Sequence, residues 1–247
     1  MPSHIRTVRA TIRSFRIYYG DKRRAAAMDR LYGSFVRPGD LVFDVGAHVG
    51  DRVASFHRLG ARVVAVEPQP SMVRALRFLY GRSKSVAIEA LAVGRESGRA
   101  RMLINVDNPT VSSVSPAFVE AAHGAPGWET QRWSRTIDVA VTTLDALIAK
   151  HGVPAFIKLD VEGFEAEALS GLSQAVRAVS FEFTTIQRDV GLACIERCSA
   201  MGYKRFNAAL GESQTLVAEW VDAQDIARWL IEVPQAANSG DIYAVAA

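Results

Sequence analysis

The sequence predicts an α/β fold, with a mostly parallel sheet covered by helices on both faces. Three observations carry that reading. The apolar run Leu41-Val42-Phe43-Asp44-Val45 closes on the turn Gly46-Ala47-His48-Val49-Gly50 and passes into an amphipathic stretch from Asp51 to Leu59. The run Ala61-Arg62-Val63-Val64-Ala65-Val66-Glu67 repeats the plan and also ends on a carboxylate. Beyond it, apolar runs keep alternating with helically spaced stretches, the pattern of strands buried on both faces by crossover helices.

Length and composition set the bounds. At 247 residues, the chain suits one α/β domain with additions. Apolar residues make up 49% of it, yet no run reaches the roughly 18 that a membrane span needs. The N-terminal region lacks the apolar core and cleavage site of a secretory signal, so a cytoplasmic location is expected. Cys194 and Cys198 lie four apart in a helical stretch and read as core residues rather than as a zinc site. A net charge of +3 is a mild excess that favours anionic partners without establishing nucleic-acid binding, and no nucleic-acid partner is expected.

Taken in order, Ile5, Val8, Ile12, Phe15 and Tyr19 recur at helical spacing, with Arg6, Arg9, Arg13 and Arg16 between them. This basic amphipathic helix docks on the domain or on a second subunit, or rests on an anionic membrane surface. A second helix is expected from Arg23 to Phe35, and the turn Arg37-Pro38-Gly39-Asp40 then opens the main domain, giving an extension over 1–35 and a domain over 36–247. After Glu67, a helix carries Met72, Leu76 and Leu79, and a third strand starts at Val86 and ends between Ala90 and Val93. Ala100–Asn105 and Ile137–Val141 are expected to pair. The stretch 107–136 between them is polar, Gly/Pro-containing and carries Trp128 and Trp133, so it is a candidate substrate lid. A helix from Thr143 leads to the strand Ala155–Asp160, a helix over Gly163–Leu172, a strand over Val176–Phe183 and a helix over Gln187–Met201. Closing strands are expected at Tyr203–Phe206 and Asp241–Val245, an additional one at Thr215–Trp220, and a helix at Asp222–Leu230.

The turn after the first strand is Gly-x-x-x-Gly. It lacks the middle glycine that lets a backbone approach a dinucleotide pyrophosphate, which disfavours a nucleotide-dependent oxidoreductase. Asp44 can meet a cationic ligand, and Glu67 stands where nucleotide-binding α/β folds hold ribose hydroxyls. A nucleoside with a positive centre fits both carboxylates. S-adenosylmethionine has an adenosine, an ammonium and a sulfonium, and needs no phosphate cradle. A non-catalytic module that binds the same cofactor is the third reading.

Three motifs in the same order resemble one family. Asp44-Val45-Gly46-Ala47-His48-Val49-Gly50, Val64-Ala65-Val66-Glu67-Pro68 and Ile157-Lys158-Leu159-Asp160-Val161-Glu162-Gly163-Phe164-Glu165 together are similar to the FkbM family of S-adenosylmethionine-dependent methyltransferases. The resemblance runs from about Val36 to about Phe183, and its third motif is the most specific. It implies a Rossmann-like class I methyltransferase with a mostly parallel seven-stranded sheet and the cofactor over the carboxyl ends of the first strands. It further implies Asp44, Gly46, Ala47 and Gly50 on the methionine side, Glu67 on the ribose and Ala92 near the adenine. His48 departs from the Asn expected in the family turn, and its imidazole either bonds cofactor or substrate or faces the surface. O-methylation of a small-molecule, sugar or polyketide-like hydroxyl is likewise what the resemblance implies.

Asp160 ends its strand in the crevice where open α/β sheets bind ligands, and Lys158 projects to the same side. Asp160 is therefore expected nearest the reacting centre, with Glu162 and Glu182 as further members and Lys158 as a partner. Glu165 and Glu167 read as helix-start carboxylates favoured by the dipole. Three acids together coexist if one is protonated, if Lys158 neutralises the group or if a divalent cation bridges them. No dedicated ligand spacing is present, so no metal is expected.

Overall fold

The computed structural model of the chain describes residues 13–14, 19–217 and 219–246. The basic amphipathic helix expected over Ile5 to Tyr19 falls mostly outside the described residues. The first full element is helix α1 (Lys22–Tyr32), N-capped by Asp21, whose side chain accepts from the amides of Arg23 and Arg24. Met28, Leu31 and Tyr32 of α1 pack in one cluster with Val42, Phe56 and Phe156. The helix that the sequence places in an extension is thus part of the domain core, because its apolar stripe finds its partner on the sheet.

Strands β1 (Leu41–Val45), β2 (Arg62–Val66) and β3 (Val86–Glu89) are parallel neighbours, separated by helices α2 (Asp51–Arg58) and α3 (Pro70–Tyr80). On the other side of β1 lie β7 (Phe156–Leu159) and β8 (Ala178–Thr184), also parallel. The final strand β10 (Ser239–Ala246) inserts antiparallel between β8 and β9 (Tyr203–Leu210). The seven-stranded order is β3-β2-β1-β7-β8-β10-β9. Helix α4 (Pro116–Ala122) lies within the 107–136 segment, and helices α5 (Leu144–His151), α6 (Glu165–Ser170), α7 (Arg188–Ala200) and α8 (Ala223–Glu232) cover the second face.

Period-two alternation sorts the strand residues between the faces. Phe43, Val45, Ile157, Leu159, Val179 and Phe181 join the α5–α8 cluster, while Val42, Phe156 and Ala178 join the cluster of α1 and α2. Asp44, Lys158, Ser180 and Glu182 follow the second set, which puts a polar row on the α1/α2 face. Cys194 and Cys198 are buried free thiols in the α5–α8 cluster, as core residues should be.

Two expectations need correction. The third strand does not run on to Val93. The chain breaks after Glu89, and β4 (Ala92–Val93) joins a separate three-stranded sheet, β4-β6-β5, with β5 (Gly98–Ile104) and β6 (Arg135–Thr142). The residues of that sheet form their own small core around Ala92, Met102 and Val139. Among the described residues of 215–220 no strand forms, and the stretch meets β9 through a bridge from Leu216 to Ala209, with a second bridge from Val221 to Phe206 just beyond it. Among the described residues, no helix is long and apolar enough to cross a membrane.

Candidate functional site

Strand register builds the site. Val45 is level with Val66 and with Leu159, and Leu159 with Phe181. The next residue on each strand, Gly46, Glu67, Asp160 and Glu182, therefore stands in one row at the carboxyl edge. All four line one cavity, together with His48, Arg52, Gln69, Ala92, Glu162 and Asp241.

Gly46 lies at φ +86°, and a Cβ there would sit 1.7 Å from the backbone oxygen of Asp160. The glycine is required for the close approach of the β1 and β7 ends, as well as for the turn. Gly46→Ala should already cost more than an ordinary surface change, and Gly46→Val should abolish soluble folded protein, as read by circular dichroism and cofactor titration. A normally folded, cofactor-binding Gly46→Val variant would show that this turn tolerates a side chain. His48 also takes the left-handed region, at φ +47°, which His and Asn enter more readily than most residues. That shared tolerance accounts for His in place of Asn. Burial pushes the His48 imidazole down to about 4, so the ring is neutral at pH 7.

Glu67 is buried and holds the turn from below. Its Oε2 accepts from the amide of His48 at 2.9 Å, and its Oε1 from the amide of Gln69 at 2.7 Å. Gln69 Nε2 in turn donates to the carbonyl of Pro109, tying this end to the 107–136 segment. Asp44, Ala47 and Gly50 do not line the cavity. Ala47 is packed in the α1/α2 cluster. Gly50 is the left-handed N-cap of α2, where a Cβ would meet Leu76 Cδ2 at 2.7 Å. Asp44 is buried, and neither of its carboxylate oxygens has a hydrogen-bond partner among the described residues.

At the other end, Lys158 is fully buried and donates to Asp160 Oδ2 at 3.1 Å and to Asp241 Oδ1 at 2.6 Å. Burial alone would lower its ammonium, but Asp160 and Asp241 hold it well above the usual lysine range. Burial opposes the charge on Asp160 too, and Lys158 with Arg52 outweighs it, keeping that carboxyl below the usual range. Glu162 and Glu182 are raised well above it by burial and by the charge of Asp160. Asp241, Arg52 and Glu212 escaped the sequence reading. Arg52 pairs with Asp51 at 2.9 Å and with Glu212 at 3.2 Å, and Glu212 also meets Arg24 at 2.7 Å. The only sequence signal for Asp241 was a carboxylate in an apolar strand.

The 107–136 segment supplies Thr110, Ser112 and Val114 to the cavity wall. Its tryptophans stand back. Trp128 and Trp133 meet the Phe118 ring edge-on, at 5.4 and 6.2 Å. Their indole N–H groups donate to Asn238 Oδ1 and to the carbonyl of Val111, so they anchor the segment. Glu165 Oε1 accepts from the Val161 amide at 2.8 Å and Glu167 pairs with Arg95, both outside the cavity lining.

Burial raises Asp44, Glu67 and Glu165 each to about 7. Unfolded carboxyls titrate near 4, so between about pH 5 and 7 the folded chain binds more protons and loses stability as pH rises. Depressed His48 has the opposite sign below about 6.5, but it is one group against three. The melting temperature of the cofactor-free protein should therefore fall by several degrees from pH 5 to pH 7, as followed by scanning fluorimetry. A rise over that window would mean these acids are ionised in the fold.

The strand order, with its antiparallel strand inserted next to the last, is the sheet of a class I S-adenosylmethionine-dependent methyltransferase, and the row of acids lies along its ligand-binding edge. The chain belongs to the methyltransferase FkbM domain family, whose model matches residues 44–238. It is 31% identical over 171 residues to the 31-O-demethyl-FK506 methyltransferase FkbM of Streptomyces tacrolimicus. That alignment covers 60% of this chain and 66% of the relative, just short of two thirds of its length. Solved structures with a similar fold include a TehB-like SAM-dependent methyltransferase from Corynebacterium glutamicum, 11% identical with a TM-score of 0.46, covering 90% of this chain and 88% of that one. The magnesium protoporphyrin IX methyltransferase of Synechocystis PCC 6803 with bound SAM is 10% identical, with a TM-score of 0.45 over 96% and 84% of the two chains.

The cofactor is S-adenosylmethionine, and the residues present fit it. Glu67 offers acceptors for a ribose diol, and Ala92, Val93 and Met102 give an apolar wall for a base.

Proposed function

We propose that the chain transfers a methyl group to a hydroxyl of a small-molecule, sugar or polyketide-like acceptor. The observation that carries the reading is a single cavity with two chemically distinct ends, Glu67 and its apolar wall at one and Asp160, Glu162 and Glu182 at the other. The name of the Streptomyces tacrolimicus relative, a 31-O-demethyl-FK506 methyltransferase, favours oxygen as the acceptor atom.

The bound cofactor supplies an electrophilic methyl carbon on a sulfonium, and the sulfur keeps the bonding pair as the new C–O bond forms. The residues then have two tasks. Glu67 holds the ribose end and fixes where that carbon lies, and holding the reactants in line supplies much of the rate. The carboxylate end orients the acceptor hydroxyl and takes up its proton, as a general base does. The Asp160 charge, held by Lys158, gives that end a fixed negative field. The 107–136 segment closes one side of the cavity against water through Thr110, Ser112 and Val114.

Glu67→Gln keeps one acceptor for a backbone amide but removes the charge from the ribose contact. Affinity for S-adenosylhomocysteine should fall about ten- to a hundred-fold, the worth of one charge-assisted hydrogen bond of about 1.5 to 3 kcal/mol. Titration calorimetry measures it, and unchanged affinity would take Glu67 out of the cofactor contact. Incubation with labelled S-adenosylmethionine and a panel of hydroxylated acceptors tests the reaction itself. Label recovered only in amines or carbon-bound methyl would refute oxygen transfer.

A further inference from the structure

Asp160, Glu162 and Glu182 each bring a carboxylate oxygen within 4.8 Å of the other two. Glu162 is 6% exposed, and its carboxylate meets the cavity with no hydrogen-bond or ion-pair partner among the described residues. The Oε2 of Glu182 is buried and also lacks a hydrogen bond. Neighbouring cations do not serve these two acids. Lys158 is taken by Asp160 and Asp241, and Arg52 by Asp51 and Glu212. Buried carboxylates without partners are costly, and proteins resolve such groups by pairing or by metal coordination.

The backbone holds Glu162 in this place. Its φ is +57°, Gly163 follows at φ +83°, and Ser113 Oγ donates to the Glu162 carbonyl at 2.6 Å. Register holds the other two, because Asp160 and Glu182 are level on adjacent parallel strands.

We propose that Asp160, Glu162 and Glu182 bind one hard divalent cation, of the magnesium or manganese type, at the acceptor end of the cavity. The donor set is all carboxylate oxygen, with no imidazole or thiolate, and selects magnesium, manganese or calcium over zinc or copper. The spacing fits. Oxygen ligands at about 2.1 to 2.4 Å from one ion stand about 3 Å apart when adjacent and about 4.2 to 4.8 Å apart when opposite. Three protein ligands leave the remaining positions to water or to an oxygen of the acceptor. That last use rests on the methyl-transfer reading, while the cation site rests on the geometry alone.

Manganese titrated into the full chain in the presence of S-adenosylhomocysteine, with free ion read by electron paramagnetic resonance, tests the site. One ion per chain should bind with a dissociation constant below about 1 mM, and Glu162→Gln with Glu182→Gln should weaken it about a hundredfold. Magnesium should compete for it. The exposed pair member Glu167 serves as control, and Glu167→Gln should bind as the parent does. Glu162→Gln alone, expected to weaken binding about tenfold, covers the case in which the double variant does not fold. No bound manganese at 1 mM, or equal binding in a folded double variant, overturns the proposal. Binding lost in the variants while no hydroxyl acceptor is ever methylated would leave the cation site standing and defeat the functional reading instead.

Discussion

Lys158→Met should destabilise the protein by about 3 to 5 kcal/mol, the cost of breaking a buried ion pair from one side. The ammonium is fully buried and lies 2.6 Å from Asp241 and 3.1 Å from Asp160. Methionine fills much the same space, so lost packing contributes little and the effect reports charge. Removing it strands Asp241 and leaves Asp160 to the more distant Arg52 at 3.9 Å, both next to Glu182 on the same face. Urea denaturation measures the loss, and adding Asp241→Asn to Lys158→Met should recover part of it, since the two residues share one interaction. A loss under about 1 kcal/mol would mean that the acids are already neutral without the lysine. Cofactor affinity should change far less, because Glu67 follows β2, two strands from Asp160 and four from Asp241 in the sheet order.

Much of the fold and part of the site are legible in the sequence, for local reasons. The runs from Leu41 to Val45 and from Val63 to Glu67 announce buried parallel strands, because each is mostly apolar on both faces and each carries a carboxylate at its end or one residue before it, beside a turn. Asp160, Glu162 and Glu182 stand out for the same reason, as acids at the ends of apolar runs or inside them. Other parts depend on contacts between distant segments. Asp241 becomes a partner of Lys158 only because β10 inserts antiparallel beside β8, a pairing that no spacing in the chain records. Arg52 looks like any first-turn arginine until Asp51 and Glu212 close on it. Gly50 looks like a ligand-facing glycine, yet α3 packs over it. The break after Glu89, which sends Ala92 and Val93 to a second sheet, follows from a pairing with β6 across the whole 107–136 segment. The tryptophans of that segment help mark it as a candidate lid, and in the fold their indole N–H groups anchor it to Asn238 and to the carbonyl of Val111.

Asp160→Asn should lower methyl transfer by about a hundredfold or more while leaving S-adenosylhomocysteine affinity within about twofold, as loss of acid–base assistance does. Asparagine matches the shape of aspartate, and its amide oxygen can still accept from Lys158, so the fold should survive. What it cannot keep is the negative charge level with Glu182 on the next strand. The consequence is the same whether that charge works directly on the acceptor hydroxyl or through a shared cation, because both need an anionic oxygen at this point. The cofactor contact is spared, since Glu67 lies on the far side of β1 from β7. Steady-state rates with a true acceptor, together with calorimetry, separate the two effects. Loss of cofactor affinity would move Asp160 to the cofactor end of the cavity. Full activity would reduce it to a structural partner of Lys158, and Glu182, whose Oε2 is buried without a hydrogen bond at the same level of the sheet, would then be the carboxylate to replace next.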